Sequence, residues 1–161
     1  MKVEFNTKVI SCSHEDIVRV LSLMSLCPWF SVEYDKEFYG ELQVKDTHGT
    51  AFEDKVADTL LNGGNVYFFD EYAKEKQHSP NSEVVDGDKN GAVMYKINIF
   101  IFKQGLEAAF NGNIVDDTDD DSDTRIARVC VEKLLDHDPD FLTFDASVLV
   151  QIICFSRIIY A

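Results

Sequence analysis

Residues 93–112 read VMYKINIFIFKQGLEAAFNG, and within this stretch the hydrophobic period changes. Val93, Tyr95 and Ile97 alternate with Met94 and Lys96, the period of two of a β-strand. From Asn98 onward, Ile99, Phe102, Leu106, Ala109 and Phe110 fall on one face at helical spacing. Asn98 has the short acceptor side chain of a helix N-cap, and Gly112 supplies the left-handed stop. Elsewhere strand and helix patterns mix without strict β-α-β alternation, which favours an α+β fold over a doubly wound sheet.

Working upstream, Val66-Tyr67-Phe68-Phe69 is a short run of strand formers, read as a central strand. Thr50-Ala51-Phe52-Glu53 has the form of a capping box and predicts a helix with Phe52, Val56, Ala57 and Leu60 inward, closed by Asn62-Gly63-Gly64. Phe30, Val32 and Tyr34 alternate as a strand, and Phe38 to Val44 suggests a weaker one. Ser13 caps a helix carrying Ile17, Val20, Leu21 and Met24 up to Cys27-Pro28, and residues 2–10 alternate as a half-buried strand. Downstream, Ile126, Val129, Cys130 and Leu134 predict a helix that closes before Pro139. Asp145 then opens a last helix with Leu149, Ile152, Ile153, Ser156 and Ile159 or Tyr160 inward, apolar on most of its circumference and so expected at the centre of the packing. The expectation is a single α+β domain over residues 1–161. It has a small, mostly antiparallel sheet packed with about five helices, and acidic loops at about 70–91 and 113–123.

Asn62-Gly63-Gly64, Val66 to Asp70, Tyr95-Lys96-Ile97, Gly105-Leu106-Glu107-Ala108-Ala109, Asp145-Ala146, Gln151 and Phe155 to Tyr160 form an ordered series over residues 51–161. In that series the chain resembles small acidic proteins encoded by phages and mobile elements of gut bacteria. It departs at Ser156-Arg157, where the pattern has Gly-Glu. The resemblance implies provenance and, by analogy, an inhibitor of the anti-CRISPR or anti-restriction type. It brings no catalytic residues.

With 29 acidic against 15 basic side chains, the 161-residue chain carries a formal charge of -14, while 45% of its residues are hydrophobic. That is too apolar for a disordered acidic tail, and its charge repels nucleic acid and anionic lipid. No apolar run approaches the ~20 residues of a membrane span and no signal-peptide pattern opens the chain, so a cytoplasmic protein is expected. Cys12, Cys27, Cys130 and Cys154 form no C-x-x-C pair and read as core thiols. His14, His48, His78 and His137 lie far apart in polar contexts with no ligand spacing, so no metal and no cofactor are expected. G-x-S-x-G, Walker and G-x-G-x-x-G patterns are absent from the sequence, so a non-enzymatic protein is expected. Asp86-Gly87-Asp88-Lys89-Asn90-Gly91 has the first half of a calcium loop, but Ile97 stands where the closing Glu belongs. It reads first as a hairpin turn, with a calcium-binding module as the alternative.

The strongest partner signal is Asp116, Asp117, Asp119, Asp120, Asp121 and Asp123. Six carboxylates over eight residues at ~3.4 Å each give about one charge per 4–5 Å, near the spacing of phosphates in a nucleic-acid strand. Asp70, Glu71 and Tyr72 place an aromatic beside carboxylates, a combination suited to a basic partner. Trp29, Phe30 and Phe69 read instead as core. The functional expectation is an acidic protein-binding inhibitor that occupies the nucleic-acid groove of a host defence nuclease. A phage structural or regulatory protein and an antitoxin or immunity protein are the other readings.

Overall fold

The computed structural model describes residues 9–72, 83–85 and 92–160, with the strand at 83–85 described by its backbone alone. In chain order these form α1 (His14–Met24), β1 (Phe30–Tyr34), α2 (Lys36–Gly40), α3 (Phe52–Leu61), β2 (Val66–Asp70), β3 (Glu83–Val85), β4 (Val93–Ile97), α4 (Ile99–Asn111), α5 (Ser122–Leu135) and α6 (Thr143–Phe155), with a 3₁₀ turn at Val44–Asp46. The strands make one antiparallel sheet in the order β1-β2-β4-β3. Phe68 faces Tyr95 across β2 and β4, and both rings are fully buried. Tyr95 packs edge-on against Phe155 at 5.2 Å, and Phe68 against Phe30 at 5.1 Å. The first contact seats the sheet on α6 and the second ties β1 to β2 within it, the arrangement that alternating apolar residues on β2 and β4 demand.

Every residue of α6 from Asp145 to Phe155 is buried. An all-round apolar helix must be covered on all sides, and α1, α4 and α5 pack around it. Burying Leu149, Ile152 and Ile153 contributes about 1.5–3 kcal/mol each. The α4 crossing is close: a Cβ on Gly105 would lie 2.8 Å from the Ile153 Cα, so only glycine lets the two backbones approach. Gln151, the one polar break in the apolar run, is fully buried and anchors the C-terminal segment. Its Oε1 accepts the Ile159 and Tyr160 N–H groups at 2.7 Å each, and its Nε2 donates to the Tyr160 carbonyl at 3.1 Å and to Ser147 Oγ at 3.2 Å.

Local capping explains where the sequence reading holds and where it shifts. Ser13 caps α1 reciprocally with Asp16, and Asn98 accepts the Ile101 N–H at 2.8 Å. The strand expected over Phe38 to Val44 is instead α2 followed by the 3₁₀ turn, because Asp35 accepts the Phe38 N–H at 3.0 Å and starts a helix. Thr50 does not cap α3, whose first turn begins at Phe52 with Ala51 as its boundary. The last helix stops at Phe155, short of the expected Ile159 or Tyr160, because Ser156 takes φ 58, a left-handed position, at the place where the resemblance leads to glycine. Trp29, Phe30 and Phe69 are buried as expected. The strand expected over residues 2–10 lies outside the described residues except for positions 9 and 10, and Asp86–Gly91 lies wholly outside them. The antiparallel pairing of β3 with β4 on either side of that loop has the register of a hairpin. No helix among the described residues is long and apolar enough to cross a membrane.

Candidate functional site

The acidic run before α5 divides into carboxylates that build the turn and carboxylates that face water. Asp116 accepts the Thr124 N–H at 2.8 Å, the Thr124 hydroxyl at 2.6 Å, the Thr118 N–H at 2.9 Å and the Thr118 hydroxyl. Thr124 is the third residue of α5, so Asp116 fills the capping role that Asp121, with φ 58 and no cap bond, does not. The Thr118 and Thr124 hydroxyls hold the Asp116 carboxyl well below the usual carboxylate range. Asp120 is lowered chiefly by the Ser122 hydroxyl, whereas burial and then the neighbouring aspartates raise Asp123. Asp117, Asp119, Asp120 and Asp121 are exposed, while Asp116 and Asp123 are only partly so. An even ladder of six phosphate-like charges is therefore not what the chain presents. Two of the six are drawn into the fold by helix capping and burial.

Asp70, expected at a partner surface, is 1% exposed. It accepts the Tyr160 hydroxyl at 2.8 and 3.0 Å and the Tyr72 N–H at 3.0 Å, so this carboxylate is structural. Burial, followed by this carboxylate, raises the Tyr160 phenol above its ordinary pKa. Glu71 and Tyr72 do reach the surface; Glu71 accepts the Ser31 hydroxyl at 2.6 Å, and Tyr72 is 55% exposed.

Tyr72 lines an open groove of about 600 Å³ with Leu26, Trp29, Phe144, Ile159 and Tyr160. A second groove of about 390 Å³ runs along α5 and the start of α6, lined by Arg125, Ile126, Val129, Lys133, Leu142 and Phe144. Phe144 walls both, joining them into one apolar strip. Leu142 is 59% exposed and Phe144 52%. They stand outward because Asp145 accepts the Leu142 N–H at 2.9 Å and fixes the first turn of α6. Arg125 connects this strip to the acidic turn by donating to the Asp120 carbonyl. The sequence reading missed Leu142 and Phe144; the usable signal was an apolar pair straddling a helix start, where one face has no core to enter.

The thiols offer no comparable chemistry. Cys130 and Cys154 are buried and Cys12 and Cys27 half-buried, and no disulfide joins any two of them. Cys130 donates to Asp145 Oδ1 at 3.3 Å. Burial pushes Cys12 up to about 12 and raises Cys27, Cys130 and Cys154 as well. Thiols held protonated in this way are poor nucleophiles.

A separate polar corner lies between α1, the loop before α3 and α3 itself. Ser13 sets His14 as the first residue of α1, and Asp54 and Asp58 share one face of α3 at i, i+4. The His48 N–H donates to Asp58 Oδ2 at 2.8 Å, and its Nδ1 lies 2.6 Å from Asp58 Oδ1. His14 Nε2 sits 3.4 Å from Asp54 Oδ1 and 3.6 Å from Asp58 Oδ1, buried and without an aligned hydrogen bond. The two imidazoles stack with centroids 4.3 Å apart. The Asp54 carboxylate lies directly over Gly49, where a Cβ would displace it. Two of the four histidines that lie far apart in the sequence, His14 and His48, are thus neighbours. The one local signal was Asp58, a charge lying within the apolar stripe of α3. Comparison with known proteins gives no matching family model, no matching curated protein and no matching solved structure.

Proposed function

We propose that this chain is a non-enzymatic protein-binding module that docks onto a basic partner surface through the apolar strip and its acidic end. The observation that carries the reading is the continuity of the strip. Leu142, Phe144 and Val129, each about half exposed or more, lie beside Arg125, which holds the exposed turn of Asp117, Asp119, Asp120 and Asp121. Half-exposed aromatic and aliphatic side chains gathered in a groove are suited to anchoring an interface, and surrounding carboxylates select and steer a Lys- or Arg-rich partner. The formal charge of -14 works in the same direction over the whole molecule. The specific partner we favour is the nucleic-acid groove of a bacterial defence nuclease, since such a groove combines dense basic charge with apolar base-stacking surfaces. Capture from a bacterial lysate with the native chain and with Phe144→Asp tests the reading. A protein held by the native chain and lost with the variant is then purified and titrated. The expected result is a basic protein whose affinity for the chain falls as salt rises and whose nucleic acid competes for the same site. Equal capture by both chains overturns the strip as the docking surface. Salt-sensitive binding without nucleic-acid competition retains the module and removes the nuclease.

A further inference from the structure

We propose that His14, His48 and Asp58 bind a divalent transition-metal ion of the zinc class, with Asp54 at the edge of the site. Each of the three residues offers a ligand atom, and these atoms lie within 4.8 Å of one another. Zinc bonds to imidazole nitrogen and carboxylate oxygen are ~2.0–2.2 Å, so two tetrahedral ligands stand roughly 3.3–3.6 Å apart. The His14 Nε2 to Asp58 Oδ1 separation is 3.6 Å, already at that spacing. His48 Nδ1 and Asp58 Oδ1 now share a hydrogen bond at 2.6 Å. A metal ion replaces that proton and opens the pair by under about 1 Å. His48 has the freedom to do this, since its side chain is 56% exposed, and turning it also releases the stacked rings so that both nitrogens can aim at one point.

The charge balance points the same way. Asp58 is 0% exposed, and no Lys or Arg pairs with it among the described residues. A dication between the imidazoles offsets this buried carboxylate and gives the buried His14 Nε2 a partner. Two nitrogens with one carboxylate select zinc, cobalt or nickel over calcium or magnesium, which take all-oxygen shells. Three protein ligands leave a fourth position open to water or to Asp54, whose Oδ1 is 3.4 Å from His14 Nε2. The site ties α1 and the loop before α3 onto α3, and it rests on different residues from the docking strip.

The test uses the full chain, free of any affinity tag and stripped with chelator. Zinc chloride is titrated calorimetrically, and cobalt chloride is titrated while the visible spectrum is recorded. The expected result is one ion per chain at micromolar affinity or tighter, tetrahedral cobalt absorption, and a rise in melting temperature on adding zinc. His48→Gln and Asp58→Asn, each checked by circular dichroism, are expected to weaken zinc at least about tenfold. His137→Gln, a surface histidine outside the cluster, is expected to leave affinity unchanged. Absence of saturable zinc binding, affinity unaltered by both cluster variants, or calcium binding as tight as zinc would each overturn the proposal.

Discussion

The buried polar groups around Gln151 and those around Asp58 are handled in opposite ways. At Gln151 every side-chain atom capable of hydrogen bonding is used, and Tyr160 in turn reaches back to Asp70 across the sheet. At Asp58 the carboxylate is equally buried, yet His14 Nε2 beside it has no aligned partner, and half-exposed His48 supplies the closest contact. A buried polar group without its partner costs about 1–3 kcal/mol, so a fold that needs only stability closes such networks. The Gln151 network is closed and structural. The Asp58 corner is left partly open, the pattern expected where a ligand completes it.

The largest effect is therefore expected at Gln151. Gln151→Leu keeps side-chain size but leaves two N–H groups and one carbonyl of residues 159 and 160, all partly buried, without their partner. A loss of about 3 kcal/mol in urea unfolding is expected. A loss below about 1 kcal/mol would show that the C-terminal segment detaches freely, and the contrast would then disappear.

Tyr160→Phe removes one donor from a carboxylate that is 1% exposed, with an expected cost of about 2 kcal/mol. The pH profile carries a second signature. The phenol is raised in the folded protein, so its contribution is complete below the unfolded value of about 10 and fades as pH climbs from there toward the higher folded value. Stability of the native chain is expected to decline above about pH 10, and this component is expected to vanish in Tyr160→Phe. An identical alkaline decline in both chains would remove Tyr160 as its source.

What the sequence discloses and what it hides follows the range of the interactions. Ser13 and Asn98 were legible because a cap is made within three residues of itself, and the last helix was legible because its apolar circumference has one physical outcome. Phe38 to Val44 misled because a short apolar alternation competes with one aspartate, Asp35, that can start a turn of helix. Asp116 reads as a surface charge since nothing local ties it to Thr124, eight residues on. The corner was hidden for the same reason at longer range: His14 and Asp58 belong to helices that meet only when α1 packs on α3. Asp70 reads as a surface carboxylate because its partner, Tyr160, is ninety residues away.

The acidic turn allows the contrast to be drawn on the surface. Asp116→Asn weakens the acceptor for two donors of Thr118 in the turn and two of Thr124 at the start of α5, and is expected to lower the melting temperature by a few degrees at neutral pH. Because this carboxyl is lowered by folding, its contribution is present above the unfolded value of about 4 and is lost as pH falls toward the folded one. The native chain and the variant should therefore converge at strongly acidic pH. Asp119→Asn, at an exposed carboxylate, is expected to leave melting unchanged and to act only on partner binding. Equal melting shifts in the two variants would mean that Asp116 caps nothing.

Only a small effect is expected at the corner itself. His48→Ala, measured in chelator, removes the contact at 2.6 Å to Asp58 but admits water to the freed oxygen through a side chain already 56% exposed. The backbone N–H of residue 48 still donates to Asp58 Oδ2, so the loop stays in place. A half-exposed pair of this kind is worth less than about 1 kcal/mol, which for a chain of this size shifts melting by only about 2–4 °C. A change as large as that of Gln151→Leu would mean that the His48–Asp58 contact is a structural tie, and the incomplete partnering of His14 would lose its meaning. A small change in chelator, beside loss of the zinc-induced rise in melting temperature, separates the two functions: the residue is then spared by folding and required by the ligand.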